Sequence, residues 1–464
     1  MVQHSTMVKI MEIKTAIVAG TGKSGISATK LLVKHGVSVY LFDENKDRDA
    51  DAVMAAVGGS ELVQIVLGEL SEEALTHSQL MVISPGIPVD APFTDVVRNA
   101  GIPIWSEIEL AYHYGKGRIA AITGTNGKTT TTALVGEIVK AYNEKTIVVG
   151  NIGIPYTELC DTTDDDSDTV AEISSFQLET VIDFHPNVSA ILNLTPDHLN
   201  RHYTFENYGN VKFSITRNQT LENGDVTVLN YDDEHTRAMG EKAKSHVHVV
   251  YFSRTEKPAG GVYVEDGEII LEDGDKKIDV LTLSDLKLLG DHNVENVLAA
   301  VGISYYMGVP VDVIRNVATS FKAVEHRIEY VDTINGVSYY NDSKGTNPDA
   351  AIKGIKAMVS PTYLIGGGYD KGSEYDEWIE SFGGKVKCLV LIGQTAQKIA
   401  DCAKRHGFNS IVFEENLREA VAYCHENAVD GDAVLLSPAC ASWGQFKNYE
   451  ERGTMFKEYV RSYK

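Results

Sequence analysis

The stretch RIAAITGTNGKTTTTALVGEIVKAY, residues 118–142, constrains this chain more than any other. RIAAITG reads as a buried strand and ALVGEIVKAY as a helix, so the polar segment between them must turn the chain where a strand ends and a helix begins. Gly124 and Gly127 permit that turn and let the backbone approach a ligand closely. N–H groups gathered at a helix start, together with the helix dipole, favour phosphate. In such a loop Lys128 would reach the β- and γ-phosphates of a nucleotide, and the Thr129 hydroxyl would face Mg²⁺. The usual G-x-x-x-x-G-K-[ST] spacing would place glycine at 122, where this chain has Ile122, so the loop is a shortened variant.

A second glycine turn, GTGKSG at 20–25, lies far upstream. Gly20, Gly22 and Gly25 match G-x-G-x-x-G after the strand TAIVAG and before the helix ISATKLLVKHG, which Gly36 closes. Asp43 ends the next strand, VSVYLFD, where an acid could take a ribose hydroxyl. Taken alone, this turn fits a nicotinamide or flavin, another diphosphate, or a purely structural bend.

Around both loops, short apolar runs alternate with helical patterns: LMVIS, TIVVG, TVAEIS, VSAILNL and, beyond residue 324, GVSYYN, TYLIGG, KCLVLIG and DAVLLS. That alternation predicts parallel βαβ units. The exception is VYVEDGEIILEDGDKKIDV (262–280), whose Asp-Gly turns predict a hairpin. At 464 residues the chain exceeds a single core, and about three domains are expected. The boundaries fall near 110 and 323, giving domains 1–110, 111–323 and 324–464. A net charge of −23 argues against nucleic acid or an anionic membrane as partner. Five scattered cysteines without a C-x-x-C pair suit a reducing cytoplasm. No apolar stretch is long enough for membrane insertion, and the first ten or so residues read as a tail.

TGTNGKTTT resembles the nucleotide loop of the Mur ligase family, ATP-dependent enzymes that build the peptide of bacterial cell-wall precursors. AEISSFQLE (171–179), NLTPDHLNRH (193–202), LLGDHNVENVLAA (288–300), EHRIE (325–329) and NDSKGTNPDA (341–350) follow in the family's order. SPACASWGQFKNYEERG (437–453) is similar to the members that add D-glutamate. The resemblance implies a Rossmann-like N-terminal domain for a UDP-sugar, a P-loop mononucleotide-binding central domain for ATP, and a Rossmann-like C-terminal domain for the amino acid. It also gives the two glycine turns separate ligands, the diphosphate of UDP-N-acetylmuramoyl-L-alanine and ATP. A folate or another cell-wall nucleotide as substrate, or a nicotinamide-dependent dehydrogenase, are the competing readings.

The same resemblance assigns residues. Gly124, Thr125, Asn126, Gly127, Lys128, Thr129 and Thr130 would hold ATP, with Asn293, Asn296, Arg327 and Asp342. Asn293 and Asn296, three apart, share a helix face that could meet an adenine edge. Two Mg²⁺ ions are expected on Thr129, Glu172, His198 and a carbamate formed by CO₂ on Lys212; Lys128, His198, Lys212 and Lys344 are the catalytic set. Gly22, Lys23, Ser24, Asp43, Gly86 and Asn151 match UDP-sugar contacts. Thr346, Lys371, Ser442 and Tyr449 match D-glutamate contacts. Asn45 departs from the family, which places an arginine there beside what is here Lys46. A monomer is expected, with residues of all three domains meeting at the reaction.

Overall fold

The computed structural model describes residues 13–464 apart from 152, 289, 323 and 371; the expected N-terminal tail lies outside the described residues. They form two compact units, Met1–Leu283 with Glu295–Ala318, and Ser284–Val294 with Thr319–Lys464. The fold is α/β, and among the described residues no helix is long and apolar enough to cross a membrane.

The first unit holds two sheets. β1 (Thr15–Ala19), β2 (Ser38–Asp43), β3 (Val63–Leu67), β4 (Leu80–Ile83) and β5 (Ile104–Ser106) lie in the order β3-β2-β1-β4-β5. All neighbours are parallel. The chain leaves β1 toward one edge and returns at β4 on the other side, which opens a crevice at the carboxyl ends of these two strands. The turn 20–25 follows β1, and Gly86 follows β4. A Cβ on Gly25 would sit 1.8 Å from the Gly20 carbonyl oxygen, and one on Gly20 would sit 2.7 Å from Ser84 Oγ. Glycine at both positions therefore lets the two loops touch. The helix after the turn spans Lys23–Lys34, three residues earlier than the apolar pattern alone indicates, because Gly22 serves as its N-cap.

The second sheet comprises β6 (Arg118–Thr123), β7 (Ile147–Gly150), β8 (Asp168–Glu172), β9 (Val188–Ile191), β10 (Val226–Asn230), β11 (His248–Ser253), β12 (Gly261–Glu265), β13 (Glu268–Asp273) and β14 (Lys276–Thr282). Its order is β14-β13-β12-β11-β10-β9-β6-β8-β7. The first Asp-Gly turn, with Asp266 at φ 50° and Gly267 at φ 85°, joins β12 to β13. A further antiparallel strand, β14, follows after Gly274, so the expected hairpin is a three-stranded meander. One apolar core runs from Val18, Leu41 and Trp105 of the first sheet to Ile119, Ala171 and Ile191 of the second. Buried Glu107 accepts from the Thr157 N–H (2.7 Å) and hydroxyl (2.9 Å), and that hydroxyl also lies 2.9 Å from Ser27 Oγ. This polar lock joins the two sheets' domains where apolar packing alone would let them slide.

The second unit carries β15 (Glu329–Ile334), β16 (Val337–Asn341), β17 (Thr362–Gly366), β18 (Val386–Leu391), β19 (Ile411–Phe413) and β20 (Ala433–Leu436), ordered β15-β16-β20-β17-β18-β19. Only β15 runs antiparallel to its neighbour. Apolar clusters cover the two faces, one around Leu364, Trp378 and Leu435, the other around Tyr339, Val390 and Phe456.

Candidate active site

The central loop leaves the carboxyl end of β6, which lies between β8 and β9. Ile122 is buried inside the strand, so the loop is short because the strand runs further. Gly127 caps the helix Lys128–Tyr142 at φ 84°, and Gly124 sits at φ 144°. Asn193 braces the turn from β9: its Oδ1 accepts from the Asn126 N–H at 2.8 Å, and its Nδ2 donates to the Asn126 carbonyl at 3.2 Å. The Thr125 hydroxyl lies 3.1 Å from that of Tyr208. Lys128 folds its ammonium over the loop, donating to the carbonyls of Gly124 (2.8 Å) and Thr125 (2.9 Å). Thr129 and Thr130 continue in the first helical turn, Thr130 buried.

Lys212 comes from the helix Phe205–Phe213, yet is only 1% exposed. Its Nζ donates to the Gly124 carbonyl at 3.0 Å and lies 3.3 Å from Thr123 Oγ1. Burial, and then the nearby Lys128 charge, hold its amine well below the usual lysine range. Glu172 ends β8, 2% exposed. One carboxylate oxygen accepts from Asn151 Nδ2 at 2.8 Å, while the other, Oε2, is buried without a hydrogen-bond partner. A buried carboxylate oxygen left open is costly unless a cation faces it. Strand-end Glu172 and Thr129 of the first helical turn thus suit a hard divalent ion. Half-exposed His198 stands in the left-handed region at φ 52°, its ring 4.8 Å from that of Phe176.

Asn296 is buried and its Oδ1 accepts from Thr131 Oγ1 at 3.3 Å. A Cβ on Gly127 would come within 2.2 Å of that oxygen, so glycine is required there twice over. The helix Asp291–Tyr306 also carries Asn293, likewise buried, in the other compact unit.

In the first crevice Asp43 accepts from the Thr21 hydroxyl at 2.6 Å and N–H at 3.2 Å, and from the Asn45 N–H at 3.0 Å. Burial opposes its charge, but the Thr21 and Asn45 hydrogen bonds with Arg48 outweigh that and hold its pKa below the usual value. Asn45 spends its own side chain on the Asp47 N–H at 2.9 Å. Lys46 lies against Gly68 and faces Glu69. Lys23 reaches across to the Gly153 carbonyl, so it tethers the first domain to the segment carrying Asn151. Gly22 and Gly86 have open space where a Cβ would be, and Ser24 is partly buried.

In the second unit three loops leave the adjacent carboxyl ends of β16, β20 and β17. Lys344 Nζ lies 5.8 Å from the Tyr449 ring centre, and Ser343 Oγ donates to the Tyr449 carbonyl at 2.8 Å. The Thr346 N–H donates to the Lys344 carbonyl at 2.8 Å, and Ser442 is buried. Lys371, expected for D-glutamate, lies outside the described residues. Sequence reading passed over Arg452. It is fully buried, donating to Ser343 Oγ (2.9 Å), the Ser343 carbonyl (2.8 Å) and the Cys440 carbonyl (3.2 Å), which pins the β16 loop to the β20 loop. A signal existed: Arg452, Phe456 and Val460 repeat at four-residue spacing on the buried face of the last helix.

Asp342 accepts from Ser437 Oγ at 2.7 Å and is fully buried; burial pushes its carboxyl up to about 7 against the pull of Ser437 and Arg327. Its folded pKa exceeds the unfolded one, so the folded state holds the extra proton. The associated stability is present at acid pH and is lost as pH rises from about 4 to 7, by on the order of 4 kcal/mol. Asp342→Asn is therefore expected to match wild type in thermal denaturation at pH 4 and to gain steadily on it up to pH 7. A constant difference across that range would show that Asp342 titrates normally.

Three α/β domains with a phosphate-type loop at a β6 end, a buried lysine and an open carboxylate beside it define a nucleotide-using enzyme class. The pattern of the Mur ligase MurD-like N-terminal domain matches residues 14–106, the Mur ligase middle domain 122–304, and the Mur ligase glutamate ligase domain 326–440. The chain belongs to the Mur ligase family. It is 56% identical over 450 residues to the UDP-N-acetylmuramoylalanine–D-glutamate ligase of Lachnospira eligens, covering 97% of this chain and 99% of that one. It is 51% identical over 451 residues to the enzyme of the same name from Lachnoclostridium phytofermentans, covering 97% and 98%. Among solved structures, UDP-N-acetylmuramate–alanine ligase from Thermotoga maritima shares the fold with a TM-score of 0.59 at 19% identity, over 97% of this chain and all (100%) of that one. MurF ligase from Thermotoga maritima, solved in complex with ADP, gives 0.57 at 17% identity, over 98% and 97%.

Proposed function

We infer that this chain is an ATP-dependent ligase that adds D-glutamate to UDP-N-acetylmuramoyl-L-alanine in peptidoglycan precursor synthesis. The observation that carries this is the 56% identity, running end to end, to a relative named for that reaction. The geometry supplies the chemical support. The substrate carboxylate attacks the γ-phosphorus and ADP leaves; the amine of D-glutamate then attacks the acyl phosphate and phosphate leaves. Both steps gather negative charge, which fixed cations must meet. Lys128 is held over the loop for the γ-phosphate, with Gly124, Thr125, Asn126, Gly127 and Thr130 as its cradle. Thr129 and Glu172 would hold one Mg²⁺, and His198 with a Lys212 carbamate a second; bound there, the ions would neutralise phosphate oxygens and orient them for in-line transfer. Asn293, Asn296, Arg327 and Asp342 are proposed for the nucleotide, and Lys344 for the transferring phosphate. Gly22, Lys23, Ser24, Asp43, Gly86 and Asn151 are proposed for the UDP-sugar.

Thr346, Lys371, Ser442 and Tyr449 are proposed for D-glutamate. The domain limits near 110 and 323, a monomer, and a cytoplasmic setting belong to the same proposal; five free, buried cysteines suit a reducing compartment. The test is phosphate release from ATP with UDP-N-acetylmuramoyl-L-alanine and a panel of amino acids. A pocket built to pair a side-chain carboxylate rejects analogues that leave its donors unpaired, so D-glutamate is expected to exceed L-glutamate and D-glutamine by about 10²-fold or more. If L-lysine or diaminopimelate outperforms D-glutamate, the amino-acid assignment falls.

A further inference from the structure

Arg201 has no part in the reaction described above, yet it is built in at the junction of the first and central domains. Its side chain is only 10% exposed, with Glu179 beside it at 8%. Nε lies 3.1 Å and 3.2 Å from the two Glu179 oxygens, and Nη2 lies 2.5 Å from one of them. The same Nη2 donates at 2.8 Å to the carbonyl of Ile87, in the first-domain loop that carries Gly86. The guanidinium carbon stands 4.9 Å from the centre of the Phe176 ring, and that ring packs 4.8 Å from the His198 imidazole. Only a planar, forked cation can meet a carboxylate with one edge, a carbonyl with its tip and an aromatic ring with its face.

The segment that Arg201 belongs to needs such a hold. The four-residue helix Leu199–His202 is bounded by two residues in the left-handed region, His198 at φ 52° and Tyr203 at φ 66°. Neither is glycine, so surrounding contacts must enforce the conformation. Tyr203 supplies one, its hydroxyl donating to Asp90 of the same first-domain loop. Arg201 supplies another. His198 therefore sits on a strained turn that Arg201 and Tyr203 tie to the 84–91 loop, while Arg201 with Glu179 and His202 with Ser175 (3.0 Å) tie it to the central domain.

We propose that Arg201 is a positioning residue that couples the first-domain loop bearing Gly86 to the turn bearing His198. Seating of the UDP-sugar against that loop then fixes the His198 imidazole for the transferring phosphate. The coupling rests on the ligase reading, but its first test does not use the reaction.

Hydrogen exchange of the full chain, without nucleotide or magnesium, is compared between wild type and Arg201→Lys, which keeps the charge and loses the fork. Faster exchange is expected in both 198–203 and 84–91, with Glu179→Gln reproducing it. A purely local role for Arg201 would loosen 198–203 and leave 84–91 as in wild type, and that result overturns the proposal. In steady-state kinetics, kcat is expected to fall about 10- to 100-fold. KM for the UDP-sugar should rise while KM for ATP stays within about twofold. An unchanged kcat in a folded Arg201→Lys enzyme also overturns it. Should wild type fail to use D-glutamate, the ligase reading fails while the exchange result still stands or falls on its own.

Discussion

Lys128→Ala is expected to reduce ADP formation by about 10³-fold or more while the far-ultraviolet circular dichroism is unchanged. The size follows from what the ammonium does. Its two hydrogen bonds to Gly124 and Thr125 hold it over the loop rather than in solvent, so the charge is preorganised and little reorganisation is needed when phosphate charge builds. The fold has little to lose, because those carbonyls can turn to water. A second effect compounds the first. The Lys128 charge is one of the causes that depress the Lys212 pKa, so its removal shifts the Lys212 amine toward its protonated form. ADP release at a near-normal rate would remove the central loop from the reaction.

Much of this site was legible from the sequence because phosphate loops advertise themselves. Gly124, Gly127 and Lys128 announce a backbone conformation and a charge, and both are local. Strands ending at the reaction centre, β6, β8 and β9, are buried along almost their whole length, as expected of strands covered on both faces, and β6 and β9 read as largely apolar runs. Some strands missed in the sequence were short or half-solvated, β5 being three residues long and β3 having one buried residue in five, but the buried β10 and the largely buried β11 were passed over as well. Residues that act through burial were also missed. For Arg452 the signal is only the four-residue spacing with Phe456 and Val460, and nothing in HLNRH separates Arg201 from a solvated surface arginine, since its burial depends on segments 22 and 114 residues away. Lys212 was reached only through family resemblance. Its own helix gives no sign that the ammonium lies under the loop, because that contact joins residues 88 apart.

Loss of Lys212 is expected to have an effect of comparable size. An amine that attacks CO₂ must be neutral: its lone pair forms the N–C bond, and a proton leaves to solvent. Burial, and then the Lys128 charge, hold its pKa well below the usual lysine range and so move the amine toward that neutral form. The product would be an anion with two oxygen donors, placed against the loop at the Gly124 carbonyl. Lys212→Ala is therefore expected to lose about 10³-fold or more in turnover, and small carboxylates such as formate or acetate should restore part of it by supplying the missing oxygens. Stability should move the other way. Because the folded pKa lies below the unfolded one, the unfolded chain binds the extra proton, and wild type gains stability as pH rises toward the ordinary lysine range. In CO₂-free buffer Lys212→Met, which fills the space without a charge, is expected to melt higher than wild type, with the gap narrowing as pH rises toward the ordinary lysine range. A gap that is flat with pH would mean the amine titrates as in water. Full activity in Lys212→Ala, with no response to formate, would mean that no carbamate takes part.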